Sequence, residues 1–350
     1  MTTITAPAMQ AAIFEHDGRV ALQQVERPRR EPGGVLLRVR ACGICGSDLH
    51  VLRGGWPPQP YWVGHEIAGE VLEADDDSGF RAGDHVAVEP IVGCGHCRYC
   101  EGGAYNHCAG MRFVGGSIPG GYADYLHVPA ARSLHRLPPD LPWEEGAMAE
   151  PLAVGVHALR LAGLTYGMSV AIVGGGTIGL LALQAARVMG AARTGVLAKY
   201  EHQAALARRL GAVATGLSDD DGAAARLVED LGGEVDLVVE AVGGRSRAAQ
   251  QALEMVRPLG ALALTGAFSG PVELDLGQVV TKEVRVLGSN CYAAPLSQRR
   301  DFAIAVDLLV DGKVDAAPLI THRFPLSRAP EAFDVSLDKR SGVIKAVLLP

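Results

Sequence analysis

Apolar and polar positions change rhythm once along this chain. From Gln10 to about Val128, short β-prone runs such as Val35-Leu36-Leu37-Arg38-Val39, Ile67-Ala68-Gly69-Glu70-Val71 and His85-Val86-Ala87-Val88 are separated by turn signals, among them Glu31-Pro32-Gly33-Gly34 and Ala82-Gly83-Asp84. Such runs, punctuated by glycine and proline, predict an all-β, barrel-like unit. Near Trp143 the period lengthens. Glu144 to Gly163 is spaced as a helix, and Ser169-Val170-Ala171-Ile172-Val173 follows as a short, almost wholly apolar run. Beyond it, strands are expected at 170–173, 194–198, 235–239 and 261–265, with helices at 178–189, 201–210 and 246–256 between them. Strands without polar alternation need cover on both faces, so this half predicts a doubly wound parallel sheet and an α/β fold class. A strand at 284–288, a helix from Arg299 to Val310 and a last strand from Val343 to Leu349 complete the pattern, while residues 1–8 read as a loose tail.

Composition agrees with a two-part molecule. A chain of 350 residues exceeds the roughly 250–300 at which single cores stop growing. Hydrophobic content of 48% and charged content of 20% are those of a globular protein, and a net charge of −7 without any basic run argues against a nucleic-acid partner. The segment Met1-Thr2-Thr3-Ile4-Thr5-Ala6-Pro7 has neither a basic nor an apolar signal region, so no export signal is expected. His157, Arg160 and Arg187 break the most apolar segments before the roughly 20 residues of a membrane span. The expectation is a cytoplasmic protein without a membrane partner. The seven cysteines are Cys42, Cys45, Cys94, Cys97, Cys100, Cys108 and Cys291. Their odd count, their clustering and the missing export signal favour metal ligation over disulfides.

Gly174-Gly175-Gly176-Thr177-Ile178-Gly179 fits G-x-G-x-x-G directly after a strand and opens a helix. There the glycines Gly174, Gly176 and Gly179, with Thr177 and Ile178, allow a pyrophosphate to approach the helix N-terminus, which predicts a dinucleotide site. The next strand ends in Ala198-Lys199-Tyr200, with no carboxylate for a ribose 2′-hydroxyl. Lys199 can neutralise a 2′-phosphate and Tyr200 can stack on adenine. NADP is therefore expected over NAD, with NAD possible; Val242 completes the expected cofactor-binding set.

Cys94-x-x-Cys97-x-x-Cys100, with Cys108 following, lies in the glycine-rich loop 93–110 and suits a closed tetrahedral structural zinc. For an open zinc site, three ligands from separated segments are needed. The candidates are Cys45, the His65-Glu66 pair and Glu150.

The chain resembles the zinc-dependent medium-chain dehydrogenase/reductase family over nearly its whole length. The resemblance rests on G-I-C-G-S-D-L-H (Gly43 to His50), G-H-E (Gly64 to Glu66), G-D-H-V (Gly83 to Val86), the four-cysteine lobe, E-P-L-A-V-G-V-H-A (Glu150 to Ala158), G-G-G-T-I-G and L-I-T-H-R-F (Leu319 to Phe324). It implies a GroES-like β-barrel catalytic domain at 1–155, a Rossmann domain at 156–294 and a return to the catalytic domain at 295–350. It also implies two zinc ions per chain. The catalytic one would be held by Cys45, His65 and Glu150, with Glu66 close enough to exchange with a ligand or water. Alcohol dehydrogenases with two cysteines and a histidine have a thiolate where this chain has glutamate, so the polyol, sugar and threonine dehydrogenase branch is the better match.

On that resemblance Ser47 hydrogen-bonds the substrate oxygen, His50 passes the proton to solvent and Asp48 holds the His65 imidazole in its tautomer. The expected substrate is a secondary alcohol, or its ketone, in a polyol, sugar or cyclitol. Trp56, Tyr61, Trp62 and Phe113 are the candidate pocket wall, although packing of the proline-rich loop around Pro57, Pro58 and Pro60 explains the first three equally well. Two other readings stand beside this one: a biosynthetic aldehyde or imine reductase, and a non-catalytic zinc- and dinucleotide-binding protein. A homodimer or homotetramer is expected by analogy with the family.

Overall fold

The computed structural model describes residues 7–54, 58–294 and 299–350. It divides into two compact units. Of the described residues, the first comprises 7–54, 58–150, 294 and 320–350, and the second 151–293 and 299–319.

The first unit is built on a seven-stranded sheet. Its path runs Ile320–Pro325, Lys345–Leu349, Val35–Gly43, Glu66–Glu73, His85–Val88 and Leu134–Arg136, with Tyr125–Val128 also paired to Val35–Gly43. All pairings are antiparallel except the one between the two C-terminal strands. The long Val35–Gly43 strand is the hub, because it pairs on one side with residues from the chain's end and on the other with the strand that starts at Glu66. Alternate apolar side chains of these strands, including Leu37, Val39, Ile67, Val71, Val86 and Val88, meet Phe14, Tyr122 and Phe333 in one core.

The second unit is a six-stranded parallel sheet in the order Ala214–Leu217, Arg193–Ala198, Ser169–Val173, Val235–Glu240, Val256–Leu264 and Arg285–Gly288. Every residue of Ser169–Val173 is buried, as its apolar composition requires of a central strand covered on both faces. The order reverses between Ser169–Val173 and its neighbours Arg193–Ala198 and Val235–Glu240, and ligands of open α/β sheets bind at such a switch point.

Three local expectations are corrected. The expected helix from Glu144 to Gly163 is two helices, Trp143–Ala147 and Ala149–Leu161. Pro151, lacking an N–H, is tolerated only in a first turn, so a new helix starts just before it. Between 210 and 235, where no element was expected, lie the strand Ala214–Leu217 and the helix Ala223–Asp230. Residues 299–319 belong with the second unit, where Asp301 accepts from His157 and Arg160 and Gln184 exchanges two hydrogen bonds with the Asp315 backbone.

Candidate metal centre and cofactor site

The Val35–Gly43 strand runs into Ile44 and Cys45, and Cys45 starts the short helix Gly46–Leu52. Asp48, in the first turn, accepts from the Cys45 backbone N–H at 3.2 Å, which fixes the corner on which the thiol sits. Opposite, the strand Glu66–Glu73 begins where its partner ends, with Glu66 in register with Gly43. This register brings the ligand atoms of Cys45, His65 and Glu66 within 4.8 Å of one another. A Cβ at position 43 would fall 1.9 Å from the Glu66 carboxylate, so glycine there makes the room that the carboxylate occupies.

The compact group does not include Glu150, which is buried at 5% exposure and whose charge acts on His65 and Lys345. The Glu66 carboxylate is gripped by Lys345, whose Nζ donates to both carboxylate oxygens at 2.6 Å and to the Ile44 carbonyl at 2.9 Å. Both side chains are within 3% of full burial. Sequence reasoning missed this lysine. The signal was a lone charge inside the apolar run Val343-Ile344-Lys345-Ala346-Val347, which a strand reading treats as a solvated position.

Charge decides what this cluster can hold. Burial disfavours a cationic His65, yet the negative charges of Cys45, Asp48 and Glu150 and a hydrogen bond to Cys45 outweigh it and raise the imidazole pKa well above its ordinary value. The buried Nδ1 has no hydrogen-bond partner and lies 3.9 Å from Asp48 Oδ1, beyond hydrogen-bond reach. A thiol, an imidazole and a carboxylate gathered in a buried pocket are a donor set that zinc fits. Ser47 and His50, on the helix that Cys45 starts, are half-buried. Burial, and secondarily the charge of Arg53, hold His50 below its ordinary 6.5.

The four-cysteine lobe is gathered equally closely: the sulfurs of Cys94, Cys97, Cys100 and Cys108 lie within 4.8 Å of one another. Left-handed Gly95 and Gly103 turn the loop, and a Cβ at Gly93 would lie 2.8 Å from the Cys100 sulfur. The Cys94 thiol is drawn down to about 6, first by the His96 backbone N–H, while burial pushes the neighbouring Cys100 thiol up to about 12. The lobe is tied down where Tyr105 donates to buried Glu89, which also meets His135 at 2.8 Å.

Among the candidate pocket residues, Phe113 stacks obliquely beside His65 with ring centroids 5.3 Å apart. Trp62 packs instead on a small cluster of Met9, Ala11 and Ala123, and the Tyr61 hydroxyl donates toward Gln59 and the Gly116 carbonyl. Trp56 lies outside the described residues.

In the parallel-sheet unit, Gly174 has φ +115, and a Cβ on Gly179 would lie 1.8 Å from the Gly174 carbonyl oxygen. The turn between strand and helix Thr177–Val188 therefore requires both glycines. Beside it, Val242 is 47% exposed, an apolar surface next to the phosphate turn. Glu240, fully buried, holds that loop by accepting from the Val242 and Gly243 N–H groups at 2.8 and 2.7 Å. Sequence reasoning did not single out Glu240. Ala198 is buried at the strand end and Lys199 is exposed, while the Tyr200 ring stacks on His202 at 5.5 Å.

Comparison with known proteins agrees with this geometry. Residues 31–139 match the family model of the alcohol dehydrogenase GroES-like domain, and residues 177–311 that of the zinc-binding dehydrogenases. The chain is 34% identical to an L-idonate 5-dehydrogenase of Vitis vinifera, covering 88% of this chain and 86% of that protein. It is 33% identical to a sorbitol dehydrogenase of Bombyx mori over 97% of both chains. A solved zinc-binding dehydrogenase from Sinorhizobium meliloti 1021, bound to NADP, superposes with a TM-score of 0.86 at 31% identity, covering 98% of this chain and 100% of that one. Two ligand clusters, a glycine turn at the switch point and full-length relatives at this level of identity establish the family: the chain belongs to the zinc-dependent medium-chain dehydrogenases, in their polyol dehydrogenase-like branch.

Proposed function

We propose that this dehydrogenase oxidises a secondary alcohol of a polyol or sugar to its ketone with NADP, using one catalytic and one structural zinc. The observation that carries the reading is the convergence of the Cys45, His65 and Glu66 ligand atoms within 4.8 Å, His65 and Glu66 being buried. Cys45 and His65 would hold the catalytic ion, with Glu66 or Glu150 as the third ligand, and zinc there would supply a Lewis acid for the alcohol oxygen. A dinucleotide held at the Gly174–Gly179 turn would supply the hydride acceptor. Ser47 receives the alcohol proton, His50 moves it to solvent, and Phe113 closes the site beside the imidazole. Relatives named for idonate and sorbitol support the polyol class, and the NADP-bound structural relative supports the cofactor. The test is metal analysis with a cofactor-reduction screen of polyols, sugars, cyclitols and simple secondary alcohols. Two zinc per chain and polyol-dependent NADP reduction support the reading; a single zinc confined to the four-cysteine lobe overturns it.

Two further outcomes are expected. Lys199→Asp removes a cation and adds a ribose acceptor, lowering the NADP-to-NAD ratio of kcat/KM by about ten- to a hundredfold. An unchanged ratio would show that Lys199 does not read the 2′-phosphate. Because His50 is held below 6.5, it is a neutral proton acceptor at pH 7 and becomes charged only in acid. Oxidation should therefore slow as pH falls through that lowered value. His50→Gln should abolish that limb of the pH–rate profile and cost on the order of a hundredfold in kcat.

A further inference from the structure

Behind the Cys45–His65 cluster lies a residue that the chemistry above does not use. Tyr122 is fully buried in the segment Gly120-Gly121-Tyr122 that precedes the strand Tyr125–Val128. Three parts of it act on the same target. Its backbone segment runs alongside the residues that deliver His65: Gly120, Gly121 and Tyr122 donate to the carbonyls of Trp62, Gly64 and Val63 at 3.0, 2.8 and 3.0 Å. Its ring fills the space over Gly64, where an added Cβ would lie 2.7 Å from the ring. The ring is itself fixed edge-on against Phe333, with centroids 5.3 Å apart. Its hydroxyl lies 2.6 Å from Asp48 Oδ2 and 3.1 Å from the Gly43 carbonyl. With one proton to donate, it gives it to the nearer, carboxylate oxygen.

That bond has a consequence for the metal ligand. Asp48 Oδ2 is held by the Tyr122 hydroxyl and the Cys45 N–H, so Oδ1 is the oxygen that faces His65 Nδ1. A carboxylate rotated about its terminal torsion would lose this arrangement, because that torsion is broad unless something locks it. We propose that Tyr122 is a positioning residue of the metal centre: its hydroxyl locks Asp48 so that Oδ1 faces His65 Nδ1 across 3.9 Å, ready to accept the Nδ1 proton once an ion draws Nε2 into ligation. The inference rests on the reading of Cys45 and His65 as ligands. It extends that reading one residue outward, to a side chain that never touches substrate or cofactor.

The test uses the full-length zinc protein and Tyr122→Phe, which keeps the ring against Gly64 and Phe333 and removes only the hydroxyl. Zinc release to EDTA is followed by metal analysis, and the cobalt-substituted protein is followed by its thiolate-to-cobalt absorption. One of the two ions should leave about ten- to a hundredfold faster, with the four-cysteine ion retained and the thermal midpoint little changed. Asp48→Asn should show the same selective loss, and the double variant should be no worse than Asp48→Asn alone, since both act through one bond. Wild-type release rates and cobalt spectrum in Tyr122→Phe overturn the proposal, as do additive effects in the double variant. Failure of the parent reading looks different: the wild-type protein would then hold no ion that Cys45→Ser removes.

Discussion

Replacing Cys45 with serine is expected to lower kcat by at least about a thousandfold and to remove one zinc ion while the four-cysteine ion stays. A hydroxyl is not ionised at neutral pH, so the cluster loses its anionic soft ligand and His65 and Glu66 are left to hold the ion alone. Lewis-acid stabilisation is worth several kcal/mol, and about 1.36 kcal/mol is a factor of ten in rate. The check is steady-state kinetics with metal analysis on the same preparation. Alcohol oxidation at the original rate would remove Cys45 from the chemistry altogether. Loss of both ions would instead mean that the two clusters are not independent, contrary to their separate ligand sets.

The second large effect is on stability. Lys345→Met should destabilise the folded protein by about 3–5 kcal/mol, because it strands the Glu66 carboxylate at 1% exposure without its cation. Burial pulls against the Lys345 ammonium, but the charge of Glu66 and the paired hydrogen bonds more than offset it and raise the amine pKa. The measurement is the urea midpoint at unchanged slope. Lys345→Met combined with Glu66→Gln should recover much of the loss, since the cost lies in the unpaired charge rather than in the missing bond. A single variant as stable as the parent would show that Glu66 finds another cation, and the catalytic ion would be the first to examine.

The two effects draw on features that were not equally legible. Cys45 stood out because it sits in a dense motif with Ser47, Asp48 and His50. Lys345 did not, because it lies 279 positions from Glu66 and looks like one charge in an apolar strand. Only the antiparallel pairing of Lys345–Leu349 with Val35–Gly43, itself paired to Glu66–Glu73, puts the two side chains together. Tyr122 was hidden for the same reason, since its hydroxyl reaches Asp48 across 74 positions. The missed strand Ala214–Leu217 has a different cause. It is an edge strand of the parallel sheet, with only Ala214 buried, so it lacks the apolar run that marked its central neighbours. The aromatic residues were the least legible. Tryptophan and tyrosine serve equally as packing and as pocket wall, and Trp62 is found packed on Met9, Ala11 and Ala123.

Chemistry that is local in the chain can be read without a fold. The four cysteines of the lobe lie within fifteen residues and the phosphate-turn glycines within six, so spacing alone limits the geometry they can adopt. The apolar periods did the same for the two kinds of sheet, because burial on one face or on two imposes different patterns. Pairings between distant segments carry no such constraint. A buried charge demands a partner of opposite sign, but nothing in the linear order says which one the strand register will supply. Hence Cys45, His65 and a nearby carboxylate could be proposed from their residue types. That Glu66 stands in the compact group, that Lys345 grips it and that Tyr122 braces Asp48 were decided by the register of the Val35–Gly43 strand with its neighbours and by the return of residues 120–122 beside 62–64.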